Sequence, residues 1–185
     1  MRVHLKNNQS VTIRKIVESD ADGLFEYLNH LSAESKSRFG PHAFDQTTID
    51  AMFDRADPKL HRYVATDNLQ HIVAYMLIKE GMIPEDRQRY ANRNQFFDDP
   101  VTVTFAPSVA DAWQSTGLGS AMNAFIEEEL KRRGIKQIIL WGGVQATNTK
   151  AVNFYKKLGY QYIASFWFDN KDNHDMIKQL QQDKK

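Results

Sequence analysis

In the stretch QSTGLGS, residues 114–120, two glycines stand where a polar segment turns into a helical pattern. Glycine in a helix costs about 1 kcal/mol relative to alanine, so a pair in a first turn asks for a reason. A helix N-terminus points free N–H groups outward and favours anions. Gly117 and Gly119 remove the β-carbons that would hold a phosphate away from those donors, and Ser115, Thr116 and Ser120 add hydroxyls. Such a turn can cradle a phosphate or pyrophosphate. The same residues fit a tight turn where a helix packs closely on a sheet, and on these residues alone both readings stand. Two familiar phosphate motifs fail. A P-loop needs lysine directly after its last glycine, but Ser120 and Ala121 follow Gly119. A dinucleotide fingerprint needs a third glycine and a later acid, but position 122 is Met and WGGVQATN holds no acid.

The elements that must position this turn follow from periodicity. Val11 and Ile13 mark a first strand, and SDADGLFEYLNHL reads as a helix with Ser19 as N-cap. Asp45 caps a second helix that carries Ile49, Met52 and Phe53 on one face. HRYVAT and IVAYMLIK form a hairpin about DNLQH. Residues 80–99 have no stable period and read as a long irregular insertion. VTVTFA alternates as a half-buried fourth strand, and the helix opened by the glycines buries Leu118, Met122, Phe125, Ile126 and Leu130 before stopping at Gly134. KQIILWGG is a fifth strand covered on both faces, a helix runs from about Asn148 to Leu158, and YIASFWF and DMIKQL close the chain before a frayed tail at 181–185. A mostly antiparallel first half joined to a βαβ crossover is mixed α/β.

A chain of 185 residues with 42% hydrophobic and 25% charged residues is expected to form one globular domain, 1–185. The formal net charge of +1 gives no case for a nucleic-acid or acidic-membrane partner. With no cysteine there is no disulfide framework, thiol nucleophile or Cys-ligated zinc, and the histidines show no metal spacing. MRVHLKNNQSVTIRK lacks the apolar core of a signal peptide and no run approaches a membrane span, so a cytoplasmic protein is expected.

QSTGLG, from Gln114 to Gly119, fits the Gln/Arg-x-x-Gly-x-Gly/Ala element of the GNAT superfamily of N-acetyltransferases. NTKAVNFYKKLGY resembles the second signature of that family through Asn148, Ala151, Phe154, Tyr155, Gly159 and Tyr160. The two stand in the right order with one strand between them, and VTIRKIVESDADGL is similar to the family's usual first strand and helix. The resemblance covers nearly the whole chain, with 80–99 as an insertion before the fourth strand. LSAESKSRF also looks like a stretch of GNAT domains related to bacterial protein-lysine acetyltransferases.

The resemblance implies a central, mostly antiparallel sheet whose parallel fourth and fifth strands splay apart, with flanking helices. It implies acetyl-CoA as co-substrate and a primary amine of a small molecule or protein as acceptor; apart from the resemblance, no metal is expected, and a homodimer is left open. Carried over, Ser108 and Val109 would hold the pantetheine arm, and Gln114, Ser115, Thr116, Gly117, Leu118, Gly119 and Ser120 the pyrophosphate. Asn148 would contact the cofactor, and Tyr155 would stand by the sulfur as the acid that protonates the departing thiolate. Each has a plainer role open to it: Asn148 as a helix cap, Tyr155 as a core aromatic. Lys150, Lys156, Lys157 and Lys131 to Arg133 read as solvated, and Trp113 and Trp141 as packing residues. Many relatives place a glutamate base on the fourth strand, but here its polar positions hold Thr102 and Thr104; Glu80, at the end of the third strand, is one geometric candidate for the base, and Tyr90, Phe96 and Phe97 of the insertion either wall an acceptor site or pack on the sheet edge or a partner subunit. A non-catalytic acyl-CoA sensor is the alternative.

Overall fold

A computed structural model describes residues 1–54 and 57–181; the end of the tail expected at 181–185 lies outside them. The strands are β1 (Arg2–His4), β2 (Ser10–Lys15), β3 (Leu60–Thr66), β4 (Ile72–Glu80), β5 (Thr102–Val109), β6 (Gln137–Leu140), β7 (Val144–Gln145), β8 (Gln161–Phe168) and β9 (Lys171–Gln179). The helices are α1 (Ala21–His30), α2 (Ala33–Ser37), α3 (Gln46–Asp54), α4 (Pro84–Ala91), α5 (Leu118–Arg132) and α6 (Thr149–Lys157). Hydrogen bonding orders the strands β1-β2-β3-β4-β5-β6-β9-β7, with β8 added to β9. β5 and β6 run parallel, while β1/β2, β2/β3, β6/β9, β7/β9 and β8/β9 are antiparallel. The fold is the expected mixed α/β, a mostly antiparallel sheet with one parallel pair and flanking helices. β5 and β6 are the fourth and fifth strands of the sequence reading, which passed over the short β1 and β7.

Two compact units divide the chain: Met1–Ile78 with Ala106–Ile126, and Lys79–Phe105 with Glu127–Lys185. In the first, Val11 and Ile13 of β2, Tyr63 to Ala65 of β3 and the unbroken apolar run of β4 from Ile72 to Ile78 are buried. Leu24, Tyr27 and Leu28 of α1 and Ile49 and Met52 of α3 bury one face of each helix, as their spacing requires. Asp67 shapes the hairpin turn by accepting the N–H groups of Leu69 and His71, each at 2.9 Å. Asp45 caps α3 through the Thr48 N–H at 2.8 Å, as expected.

The start of α1 differs from the sequence reading. A 3-10 turn, Glu18–Asp20, precedes it, and Asp20 rather than Ser19 holds the entry. The Asp20 carboxylate accepts the Val17 N–H at 2.8 Å and takes a bidentate grip from Arg14 at 2.6 and 2.8 Å. The charged, bidentate bonds from an arginine six residues upstream fix the Asp20 carboxylate where it can accept the Val17 N–H.

In the second unit the 80–99 segment is not irregular throughout. It holds α4, whose N1 position is Pro84, and a 3-10 turn begins at Asp99. Its helical character was hidden because α4 buries charge rather than an apolar stripe: Asp86 has no exposed surface, and Tyr90 is the one fully buried aromatic in the helix. Tyr90 packs with Met82, Ile139 and Ile177 and against Phe97, whose ring meets it edge-on at 5.2 Å. Of the three aromatics with two readings, Tyr90 and Phe97 therefore pack, and Phe96 is exposed. β5 also departs from its half-buried reading, since Thr102 and Thr104 are fully buried with Val103 and Phe105. Thr104 satisfies its hydroxyl by donating to the Gly81 carbonyl at 2.9 Å, which is how a polar side chain lives on a covered face.

Candidate functional site

Within the first unit, β5 ends at Val109 and a 3-10 turn, Asp111–Trp113, leads into the glycine turn. β5 pairs with β6 only from Thr102↔Gln137 to Phe105↔Leu140 and then runs on to Val109, so the parallel ladder stops four residues before the strand does. Ser108 is engaged by α1: its hydroxyl lies 2.8 Å from that of Tyr27. Burial pushes the Tyr27 phenol above its ordinary value, so it stays protonated at neutral pH.

The glycine turn is built on backbone strain. Ser115 has φ of +66° and Gly117 of +95°, left-handed values that side chains resist. A β-carbon on Gly117 would meet only Lys6 Cγ, at an ordinary 3.8 Å; conformation and not crowding demands glycine there. α5 then starts at Leu118, with Ala121 N–H bonded to Gly117 O at 3.0 Å. Thr116 turns its hydroxyl inward, donating to Trp113 O at 2.7 Å. Among the described residues the amides of Ser115, Thr116, Gly117, Gly119 and Ser120 meet no protein acceptor, and Leu118 N–H reaches only Thr116 Oγ1 at 3.4 Å. The Leu118 side chain is core. A run of unanswered amides at a helix start suits an anion with several oxygens.

Asp111 fastens this turn to the beginning of α2, which the sequence reading did not find. It accepts from Ser32 N at 2.9 Å, Ser32 Oγ at 3.0 Å and Ser35 Oγ at 2.6 Å. Burial raises its pKa, but those donors together outweigh it and hold the carboxyl below its usual range. Gln114 Nε2 lies 3.4 Å from Val109 O and 3.5 Å from both Ser35 Oγ and Asp111 Oδ1. Asp111 is 79 residues from Ser32, beyond any local signal.

Asn148 and Tyr155 belong to the second unit. Asn148 caps α6, its Oδ1 accepting the Ala151 N–H at 3.1 Å; the cap occupies only the oxygen and leaves the amide NH2 as donor. Tyr155 is buried, ring to ring with Phe154 at 5.4 Å and Tyr160 at 5.2 Å. Burial raises its pKa, so the phenol carries its proton at neutral pH. Glu80 is bound to the Arg133 guanidinium, so its carboxylate is already engaged and Arg133 is not merely solvated. Lys150, Lys156 and Lys157 are exposed as expected. The described residues contain no group of acids and histidines spaced for a metal, and no helix among them is long and apolar enough to cross a membrane.

Residues 25–160 match the family model for the acetyltransferase (GNAT) family. The chain belongs to the GNAT family. Among solved structures it is similar to the GNAT domain of S. lividans PAT, with TM-score 0.76 and 20% identity over 97% of this chain and 96% of that one. It is also similar to the ribosomal-protein-S18-alanine N-acetyltransferase of Escherichia coli, with TM-score 0.64 and 16% identity over 92% and 94% of the two chains. A curated relative, the mycothiol acetyltransferase of Saccharomonospora viridis, is 34% identical over 73 residues, or 40% of this chain. That match spans 23% of the relative's length. GNAT membership accounts for β5 and β6 as the parallel pair and for the position of the glycine turn between them.

Proposed function

We propose that this chain is an N-acyltransferase that moves an acetyl group from acetyl-CoA to a primary amine of a small molecule or a protein. The observation that carries the reading is the glycine turn: among the described residues, amides 115–117, 119 and 120 meet no protein acceptor at the start of α5, within the stretch QSTGLGS. Acetyl-CoA, when bound, supplies a thioester whose acetyl carbon is open to attack. In this reading the amides from Ser115 to Ser120 hold the pyrophosphate, with Gln114 bracing the turn from below. Ser108 and Val109, past the last β6 pairing, offer backbone groups to the pantetheine arm, and Asn148 offers its free amide NH2. Tyr155, protonated at neutral pH, donates to the departing thiolate. The single-domain organisation, a cytoplasmic setting and a homodimer remain part of this proposal.

Isothermal calorimetry with coenzyme A, followed by thiol release from acetyl-CoA in the presence of polyamines, amino acids, aminoglycosides, amino sugars and lysine peptides, tests it. Coenzyme A binding together with amine-dependent thiol release is expected. Binding without release from any acceptor would favour the sensor reading.

A further inference from the structure

The glycine turn offers a phosphate group neutral donors and no cation of its own. From Asn94 to Leu130 the sequence holds no lysine or arginine. Asp111 instead puts a carboxylate beside the turn, 3.5 Å from Gln114 Nε2. A pyrophosphate diester is a dianion, and backbone amides answer it with partial charges only. The balancing charge is therefore missing from the local chain.

The fold brings one in from far away in sequence, within the same unit. Lys6 stands in the turn between β1 and β2, and its Cγ lies 3.8 Å from the position a β-carbon on Gly117 would take. Beyond the neighbouring residues, no other atom comes within 4 Å of that position. The turn that carries Lys6 is firmly placed. Leu5 is buried, its N–H donates to the Gln9 carbonyl at 2.8 Å, and its own carbonyl accepts the Asn8 N–H at 3.1 Å. Asn8 takes a φ of +63°, a conformation asparagine tolerates. Asn7 Oδ1 accepts the Gln9 N–H at 3.2 Å, and the Ser10 hydroxyl lies 2.7 Å from His4 Nδ1 across the strand ends. Lys6 itself is exposed, and among the described residues its ammonium meets no acceptor. Other cations of this unit are engaged: Arg14 by Asp20, Arg38 by Glu34 and Lys36 by the Asn29 carbonyl.

We propose that Lys6 is a cofactor-binding residue whose ammonium neutralises the pyrophosphate of coenzyme A over Gly117. From Cγ the flexible stem runs on through Cδ and Cε to Nζ, so the charge can settle over the side of the turn that glycine leaves open. The amides supply direction and the ammonium supplies charge, a division that suits a point cation on a flexible stem.

The inference rests on the acetyl-CoA reading, and the experiment separates the two. Wild type, Lys6→Met and Lys6→Arg are titrated by calorimetry with coenzyme A and with dephospho-coenzyme A, which keeps the pyrophosphate and lacks the 3′-phosphate. Methionine keeps most of the stem and deletes the charge. Lys6→Met is expected to lose at least about twofold in affinity at low salt, the scale of an exposed ion pair, and to lose it equally for both ligands. Lys6→Arg should stay within about twofold of wild type. Between about 0.02 and 0.3 M salt, wild-type affinity should fall more steeply than that of Lys6→Met, because screening weakens only a charge that is present. A folded Lys6→Met with wild-type affinity and an unchanged salt dependence would overturn the assignment alone. A loss seen with coenzyme A and absent with dephospho-coenzyme A would move Lys6 to the 3′-phosphate and overturn its place over Gly117. An equal loss in Lys6→Arg would make the contribution one of packing and overturn the charge role. A wild-type protein that binds neither ligand would overturn the acetyl-CoA reading and this one with it.

Discussion

Arg89 of α4 clasps Asp175 of β9 across 86 residues of chain, its Nε 3.0 Å from both carboxylate oxygens and its Nη2 2.7 Å from Oδ1. The same Nη2 lies 2.5 Å from Asp86 Oδ1, and Asp86 Oδ2 accepts the Gly142 N–H at 3.1 Å. Arg93 adds a bond to Asp175 Oδ2 at 2.8 Å, and the Arg89 guanidinium stacks 3.7 Å from the centre of the Phe166 ring. Both carboxylates have no exposed surface. The 80–99 segment is thus bolted to its unit by a buried ionic network, in which every charge has several partners.

Breaking that network from its centre is expected to be expensive. Arg89→Met would leave Asp86 with one backbone donor and no cation, and burial already raises its pKa. A loss of about 3–5 kcal/mol is expected, the usual cost of stranding a buried charge. Urea unfolding at pH 7 measures it, and hydrogen exchange should show α4 losing protection first. A change under 1 kcal/mol would mean that the network contributes little.

The glycine turn makes a prediction about affinity. Gly117→Asp forces a side chain into a φ of +95° and adds negative charge where amides point outward. Coenzyme A affinity should fall at least tenfold, about 1.4 kcal/mol, while circular dichroism stays that of the wild type. A folded variant with wild-type affinity by calorimetry would remove the cradle from the cofactor site.

Tyr155→Phe separates acid from packing. It keeps the contacts with Phe154 and Tyr160 and deletes only the hydroxyl. A drop in kcat of roughly 10²–10⁴ with little change in coenzyme A affinity is expected of a lost general acid. Pre-steady-state kinetics should accompany the assay, so that slow product release does not hide the effect. Unaltered chemistry would leave Tyr155 as a core aromatic.

The Arg14–Asp20 pair predicts a pH dependence of stability. The Arg14 hydrogen bond holds the Asp20 pKa below its ordinary value, against a partial opposing effect of burial. A carboxyl depressed in the folded state stabilises fully above its unfolded pKa, about 3.9, and loses that contribution as pH falls through the folded value. Asp20→Asn should therefore cost about 1 kcal/mol at pH 7. The gap to wild type should close progressively below pH 4 in urea titrations. A gap constant from pH 7 to pH 2.5 would contradict the assignment.

What the sequence determined by itself was local or patterned. The alternation of β2, the unbroken apolar run of β4, the helical faces of α1 and α5 and the stop at Gly134 all follow from burial and backbone preference within a few residues. The family signatures lie in two short stretches, 114–119 and 148–160, so they too could be read directly. Only the tertiary structure decided what joins distant residues. It put Asp20, held by Arg14, at the entry of α1 where the sequence offered Ser19, and made packing residues of Tyr90 and Phe97. It made a helix of 84–91 whose buried face is charged, which no hydrophobic period can reveal. It bound Glu80 to Arg133 and drew Asp111 onto Ser32 and Ser35. The physical reason is common to all of them. A charge or a hydrogen-bond acceptor takes its partner from whatever the fold brings within about 3 Å, and sequence spacing carries no record of that choice.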